Sequence, residues 1–229
     1  MYKLLKLTFL SLCILCTTAC TENEPNTPTE PQIAEKTIFV FMPHSTNLYK
    51  YLLDNIAGMK RAIESNKGLG NTRLVVFIAK DKKQSALINI KYDKGVCKQD
   101  TLEKFYSPIY LTTNGRVELL NKVKQYAPAN RYAMIVGCHG MGWIPSSTMF
   151  KAKKSRYFGG LENGYKIDID DFAESIKAAG MKMQFILFDD CYMSCMEVAY
   201  DLKDATDYII ASTSEVMDKG MPYHRIYQH

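Results

Sequence analysis

Two short apolar runs, each cut off by a reactive side chain, constrain this chain more tightly than anything else in it. AMIVGCHG, residues 133–140, closes on His139, and FILFDDC, residues 185–191, closes on Cys191. Apolar residues in succession, halted abruptly by Gly, Cys or Asp, read as short buried strands. In an open parallel α/β sheet, functional groups collect where strands end at their carboxyl edge. Two such strands side by side bring an imidazole and a thiol together, which is the pairing of a cysteine nucleophile with its base.

The segments around these runs supply a sheet for them to join. TIFVFMP at 37–43 and RLVVFIA at 73–79 read as buried strands. Between them Leu48, Leu52, Ile56, Met59 and Ile63 recur at helical spacing. ALINIKYD alternates like a half-exposed strand and hairpins with the stretch around Val96 through Asp93, Lys94 and Gly95. A helix is expected over 114–126, ended by Pro128, and another from Asp168 through Ala179, stopped by Gly180. The segment 207–212 reads as one more buried strand. Strands alternating with helices mean an α/β fold, a mostly parallel sheet with helices on both faces.

The first 19 residues do not belong to that domain. Lys3 and Lys6 precede LTFLSLCILC, too short to span a bilayer, and small residues Thr17, Thr18 and Ala19 lead to Cys20. That is an export signal. The arrangement resembles a bacterial lipobox, with Cys20 as the lipid-modified N-terminus after cleavage, although Thr17 stands where a Leu is usual, so simple secretion is the alternative. The polar, proline-rich TENEPNTPTEPQ then reads as a tether, over 20–35, holding the domain 36–229 off a membrane surface. Loss of the signal lowers the formal charge from +5 to +3, which argues against a nucleic-acid partner. Of the seven cysteines, Cys97, Cys138, Cys191 and Cys195 remain for the domain, too few for a disulfide framework.

His139 precedes Cys191 by 52 residues, close to the roughly 50 that separate the same pair in the same order in caspases. HGMGW at 139–143 and FDDCYMSCMEVAYDL at 188–202 resemble the two signature segments of the clostripain family of cysteine peptidases, which are caspase-like enzymes. The resemblance runs from about Lys36 to the end of the chain. It implies a caspase-like sheet with a six-stranded core, and since such domains usually continue further, the chain looks shortened at its C-terminus.

The same resemblance implies site roles. Cys191 is the nucleophile, His139 its partner in a dyad, and the N–H groups of Gly140 and Cys191 an oxyanion hole. Asp189 would line a pocket for an Arg or Lys side chain on the acyl side of the scissile bond, since a cation leaving water needs an opposed carboxylate. It shares the parity of Cys191, whereas Asp190 points the other way. Asp218 is a candidate second acidic wall. The basic loop KAKKSR, 151–156, is either a solvated charge run or a self-processing site, with Lys151-Ala152 as the preferred bond and Lys153, Lys154 and Arg156 as the alternatives. The partners implied are protein or peptide substrates with Arg or Lys and a membrane reached through the lipid, the enzyme being a monomer; the resemblance leaves a calcium requirement open.

From the residues alone, MSCMEVAYDL reads as a helix that begins close to Cys191, so its N-terminus would favour the thiolate. One alternative from another class is a zinc site made by Cys138, His139, Cys191 and Cys195, although adjacent Cys138 and His139 point to opposite faces of a strand. A surface-anchored, inactive binding module is the other.

Overall fold

Strand β1, Ala34–Met42, explains in miniature how the sheet is buried. Ile38, Val40 and Met42 enter one core, and the alternating Phe39 and Phe41 enter a second core on the opposite face. A strand covered on both sides reads as a continuous apolar run, which is why AEKTIFVFM hardly alternates. The computed structural model describes residues 32–142, 157–162 and 164–226, all within one compact unit, Pro31–His229. The export signal, Cys20, the tether up to residue 31 and the basic loop 151–156 with Lys151 and Ala152 lie outside the described residues.

Helix α1, Tyr49–Ser65, lays Leu52, Ile56, Met59 and Ile63 on the Val40 face of the sheet. Strand β2, Thr72–Asp81, runs parallel to β1. Strands β3, Gln84–Asp93, and β4, Val96–Phe105, then add an antiparallel hairpin, turned by Lys94 and Gly95 at φ of 50° and 96°. Helix α2, Thr113–Tyr126, starts under a Thr112 side-chain cap and covers the Phe41 face. Strand β5, Ala129–Gly137, pairs in parallel with β1 on its other side.

Three very short strands follow: β6, His139–Gly140, β7, Tyr157–Gly159, and β8, Lys166–Asp168, form a separate antiparallel sheet in that order. Helix α3, Ile169–Ala178, leads to strand β9, Met183–Asp189, which lies in parallel beside β5. Helix α4, Met196–Leu202, strand β10, Thr206–Ile210, and the short helix α5, Tyr223–Ile226, complete the described elements. The main sheet has seven strands in the order β10-β9-β5-β1-β2-β3-β4. It is α/β and mostly parallel, with helices on both faces; the hairpin carries it past the six strands the resemblance implied.

The small sheet is moored by one side chain. Phe158 in β7 sits with its ring 4.9 Å from Phe172, 6.1 Å from Phe188 and 6.4 Å from Phe41, edge-on to each. Edge-to-face packing of this kind is directional as well as apolar. It fixes β7 on the core, and β7 in turn pairs with the strand that carries His139.

The structure departs from the sequence-based expectation in three places. β10 is not a buried strand: it lies at a sheet edge, where Tyr208 and Ile210 are 69% and 46% exposed. His139 is not at the tip of β5 but two residues past it, because the chain leaves the main sheet at Cys138 and re-pairs in the small one. Helix α4 begins only at Met196, with Cys195 at its N-cap, so Cys191 occupies a turn rather than a helix N-terminus. The dipole of α4 therefore gives no account of a reactive thiol.

Candidate active site

The last rung between β5 and β9 pairs Gly137 with Asp189. Beyond it the ladder is continued by a side chain. The buried Cys138 N–H donates to Asp190 Oδ1 at 2.7 Å, and its thiol donates to Asp190 Oδ2 at 3.4 Å. The chain from His139 then folds directly over the residues around Cys191. A Cβ on Gly140 would lie 2.3 Å from the Cys191 carbonyl oxygen and 3.0 Å from its nitrogen. Gly142, at φ 53°, is as tightly confined, since a Cβ there would lie 2.6 Å from the Tyr192 carbonyl oxygen. Only glycine allows two backbones to approach this closely.

Cys191 is half-buried, and its Sγ accepts from the Val216 N–H at 3.3 Å and faces the Val216 carbonyl at 3.6 Å. Tyr192 follows at φ 61°, a left-handed conformation that costs a non-glycine residue about 1–2 kcal/mol. The turn is held by the Tyr192 N–H donating to Ser214 and the Ser194 N–H donating to Ser212, at 3.0 and 2.9 Å. Backbone strain beside the thiol, over-determined by its surroundings, marks this turn as a candidate functional site.

His139 Nε2 donates to Asn47 Oδ1 at 2.9 Å. Burial lowers the histidine pKa, partly offset by a hydrogen bond with the Ser45 backbone. Asn47 follows Thr46, itself at φ 56°. Asn47 was not legible as a site residue, because a loop after a strand has no periodicity to betray which residue turns inward. Its neighbour His44 has another role: its Nδ1 is 3.0 Å from the Lys80 carbonyl and its ring packs on Tyr165.

The three acids separate by environment. Asp189 is 7% exposed, and its Oδ2 accepts from the Tyr223 hydroxyl at 2.8 Å, the Met221 N–H at 3.1 Å and the Asn55 amide at 3.5 Å. Its other oxygen, Oδ1, is buried and has no hydrogen-bond partner among the described residues. Burial raises the Asp189 pKa against those hydrogen bonds. Exposed Asp218 bonds the hydroxyl of Tyr51. Tyr51 and Asn55 are one turn apart on α1, so the same helix borders both acids. Neither was legible as a site residue from the sequence, since each breaks no helical pattern.

Asp190, in contrast, is turned wholly inward to Cys138. Burial and the neighbouring Asp189 push its pKa up to about 8, against the hydrogen bonds from Cys138, and burial likewise pushes the Cys138 thiol well up. A carboxyl that keeps its proton to about pH 8 when folded, but loses it near pH 4 when unfolded, makes stability fall as pH rises between those values. The slope is at most about 1.4 kcal/mol per pH unit for one group, and it vanishes above pH 8. Asp190→Asn, which has no proton to lose, is expected to flatten this interval. Thermal unfolding midpoints from pH 4.5 to 8.5 check it, a parallel decline in parent and variant being the contrary result.

Cys138, His139, Cys191 and Cys195 do not assemble as the zinc alternative requires. Among the described residues no three His, Cys, Asp or Glu side chains converge as ligands for a metal ion. Cys138 is bonded to Asp190, and His139 to Asn47.

A family model described as the clostripain family matches residues 40–229. A secreted cysteine protease from Bacteroides thetaiotaomicron is 44% identical with a TM-score of 0.80, over 86% of this chain and 57% of that one. A second secreted protease from the same organism, solved with an irreversible peptide inhibitor, is 25% identical at TM-score 0.71, over 83% and 52% of the two chains. An inactive zymogen protease from Parabacteroides distasonis is 30% identical at TM-score 0.70, over 86% and 54%. This chain thus spans a little over half the length of the solved proteins it matches. No curated protein matches it.

Proposed function

From the premise that this chain belongs to the clostripain family of cysteine proteases, we propose that it is an endopeptidase cleaving after Arg or Lys. Cys191 is the nucleophile and His139 its proton carrier. The substrate displaces the Val216 backbone from Sγ, the thiol proton passes to the imidazole, and sulfur attacks the scissile carbonyl carbon. The N–H groups of Gly140 and Cys191 receive the developing oxyanion; the close approach of these two backbones supports that role. Imidazolium protonates the leaving amine, and water then hydrolyses the thioester with the neutral ring as base. Asn47 holds the ring in the orientation for both transfers.

One observation carries the specificity: Asp189, two residues before Cys191, has a buried oxygen with no partner among the described residues. A buried acceptor left unpaired costs free energy, and a guanidinium or ammonium entering beside α1 removes that cost. Asp218 at the rim adds a second, solvated negative charge.

Maturation and placement complete the reading. The enzyme cuts itself at Lys151-Ala152 and is held at the membrane, as a monomer, by a lipid on Cys20. A known relative is an inactive zymogen and others are secreted. No helix among the described residues is long and apolar enough to cross a membrane.

The test is incubation of purified protein with paired fluorogenic peptides ending in Arg, Lys or Asp, with and without a thiol alkylator. Cleavage confined to Arg and Lys, and abolished by the alkylator, is expected. Cleavage that survives full alkylation of Cys191 overturns the assignment.

A further inference from the structure

Beside Asp189 stands a second acid that peptide-bond cleavage and cation binding do not use. Asp190 is 1% exposed, with no cation beside it among the described residues, and an ionisable group is rarely placed in such a position without a task. Its two bonds both go to Cys138, 52 residues away in sequence. Each partner directly precedes a residue of the dyad: Cys138 stands before His139 and Asp190 before Cys191.

The main-sheet ladder ends one residue earlier, at Gly137 and Asp189, because the chain must leave β5 to enter β6. The Cys138 N–H therefore loses a strand partner at the point where β5 and β9 need to stay in register. Asp190 Oδ1 takes that N–H at 2.7 Å. The gap it spans is narrow, since a Cβ on Gly140 would lie 2.8 Å from the Asp190 Cβ. Any shift of this carboxyl changes the height at which His139 and Gly140 sit over Cys191.

We propose that Asp190 is a positioning residue: its carboxyl brackets Cys138 and so sets the spacing of His139 and Gly140 against Cys191. The proposal rests on the cysteine-peptidase reading of those residues. The bracket needs an acceptor at one place, not a charge. Asparagine satisfies it through Oδ1, alanine removes it, and glutamate keeps the acid but displaces it by one methylene.

The experiment compares Asp190→Asn, Asp190→Ala and Asp190→Glu with the parent in kcat and KM on the Arg peptide. In parallel, carbamidomethylation of Cys191 by iodoacetamide is followed by peptide mass spectrometry. Asp190→Asn is expected to keep the parent kcat. Asp190→Ala and Asp190→Glu are expected to lose kcat on the order of 10²-fold at unchanged KM, as a misplacement of about an ångström does. Their Cys191 alkylation should slow toward that of His139→Ala.

Parent kcat in folded Asp190→Ala or Asp190→Glu overturns the proposal, as does a loss in Asp190→Asn equal to that in Asp190→Ala. If Asp190→Ala does not fold, the Asn and Glu variants still decide. If the parent cleaves no peptide, the peptidase reading fails separately, and an unchanged Cys191 alkylation rate in Asp190→Glu still rejects the bracket.

Discussion

Cys191→Ala is expected to lower peptidase activity by at least about 10⁴-fold, since removal of a nucleophile leaves only what binding and the oxyanion hole supply. Cys195→Ala is expected to retain most of it. The two thiols are one helical turn apart in sequence, but their settings differ. Cys191 lies under the Gly140 backbone in a strained turn, whereas Cys195 is the N-cap of α4. The same variant reports on maturation: the parent should run as two fragments divided near Lys151-Ala152 on a denaturing gel, and Cys191→Ala as one. A nick at that bond in the inactive variant, with no other protease present, excludes cleavage by this thiol. Equal loss in the two cysteine variants, with stoichiometric zinc in the parent, would restore the metal-site reading.

The seven strands of the main sheet were legible because each is long enough to show its own pattern. β1, β2, β5 and β9 are apolar runs, and the β3–β4 hairpin carries a turn with a glycine at positive φ. The pairing of β5 with β9 followed from the reactive residues at their ends. The small sheet escaped notice for a physical reason: strands of two or three residues contain no period. It is specified instead by tertiary packing, with Phe158 fitted among Phe41, Phe172 and Phe188.

The misplaced start of the helix after Cys191 has a similar cause. MSCMEVAYDL has helical composition throughout, but Tyr192 is left-handed and Met193 is buried, so the backbone bonds of this turn go to residues 212 and 214. Long-range hydrogen bonds outweigh a propensity of a few tenths of a kcal/mol per residue. Asn47, Asn55, Tyr51 and Val216 escaped for the same reason. Each acts through a partner distant in the chain, and nothing in local sequence marks a side chain or peptide for such a contact. The acids were legible by number, but their environments were not. Parity separated Asp189 from Asp190, whereas only packing shows that the second is closed off by Cys138.

Asp189→Asn is expected to lower kcat/KM on Arg and Lys peptides by about 10²–10³-fold, within the ~2–5 kcal/mol that follows loss of one partner of a buried, hydrogen-bonded charge pair. The substitution is chosen because it leaves the fold's own bonds in place. One side-chain oxygen still accepts from Met221, Tyr223 and Asn55, while Oδ1, which has no partner among the described residues, is replaced by an amide that repels a cation. The thermal midpoint should therefore hold while specificity falls. Cys191 alkylation should also be unaffected, because the thiol is bound to Val216 on another part of the site. Asp218→Asn is expected to do less and to depend on ionic strength, since that carboxylate is exposed and screened by water and salt. An Arg preference that survives Asp189→Asn but disappears in Asp218→Asn would move recognition to the rim. Asp190 is not available for that role, because both of its oxygens face Cys138.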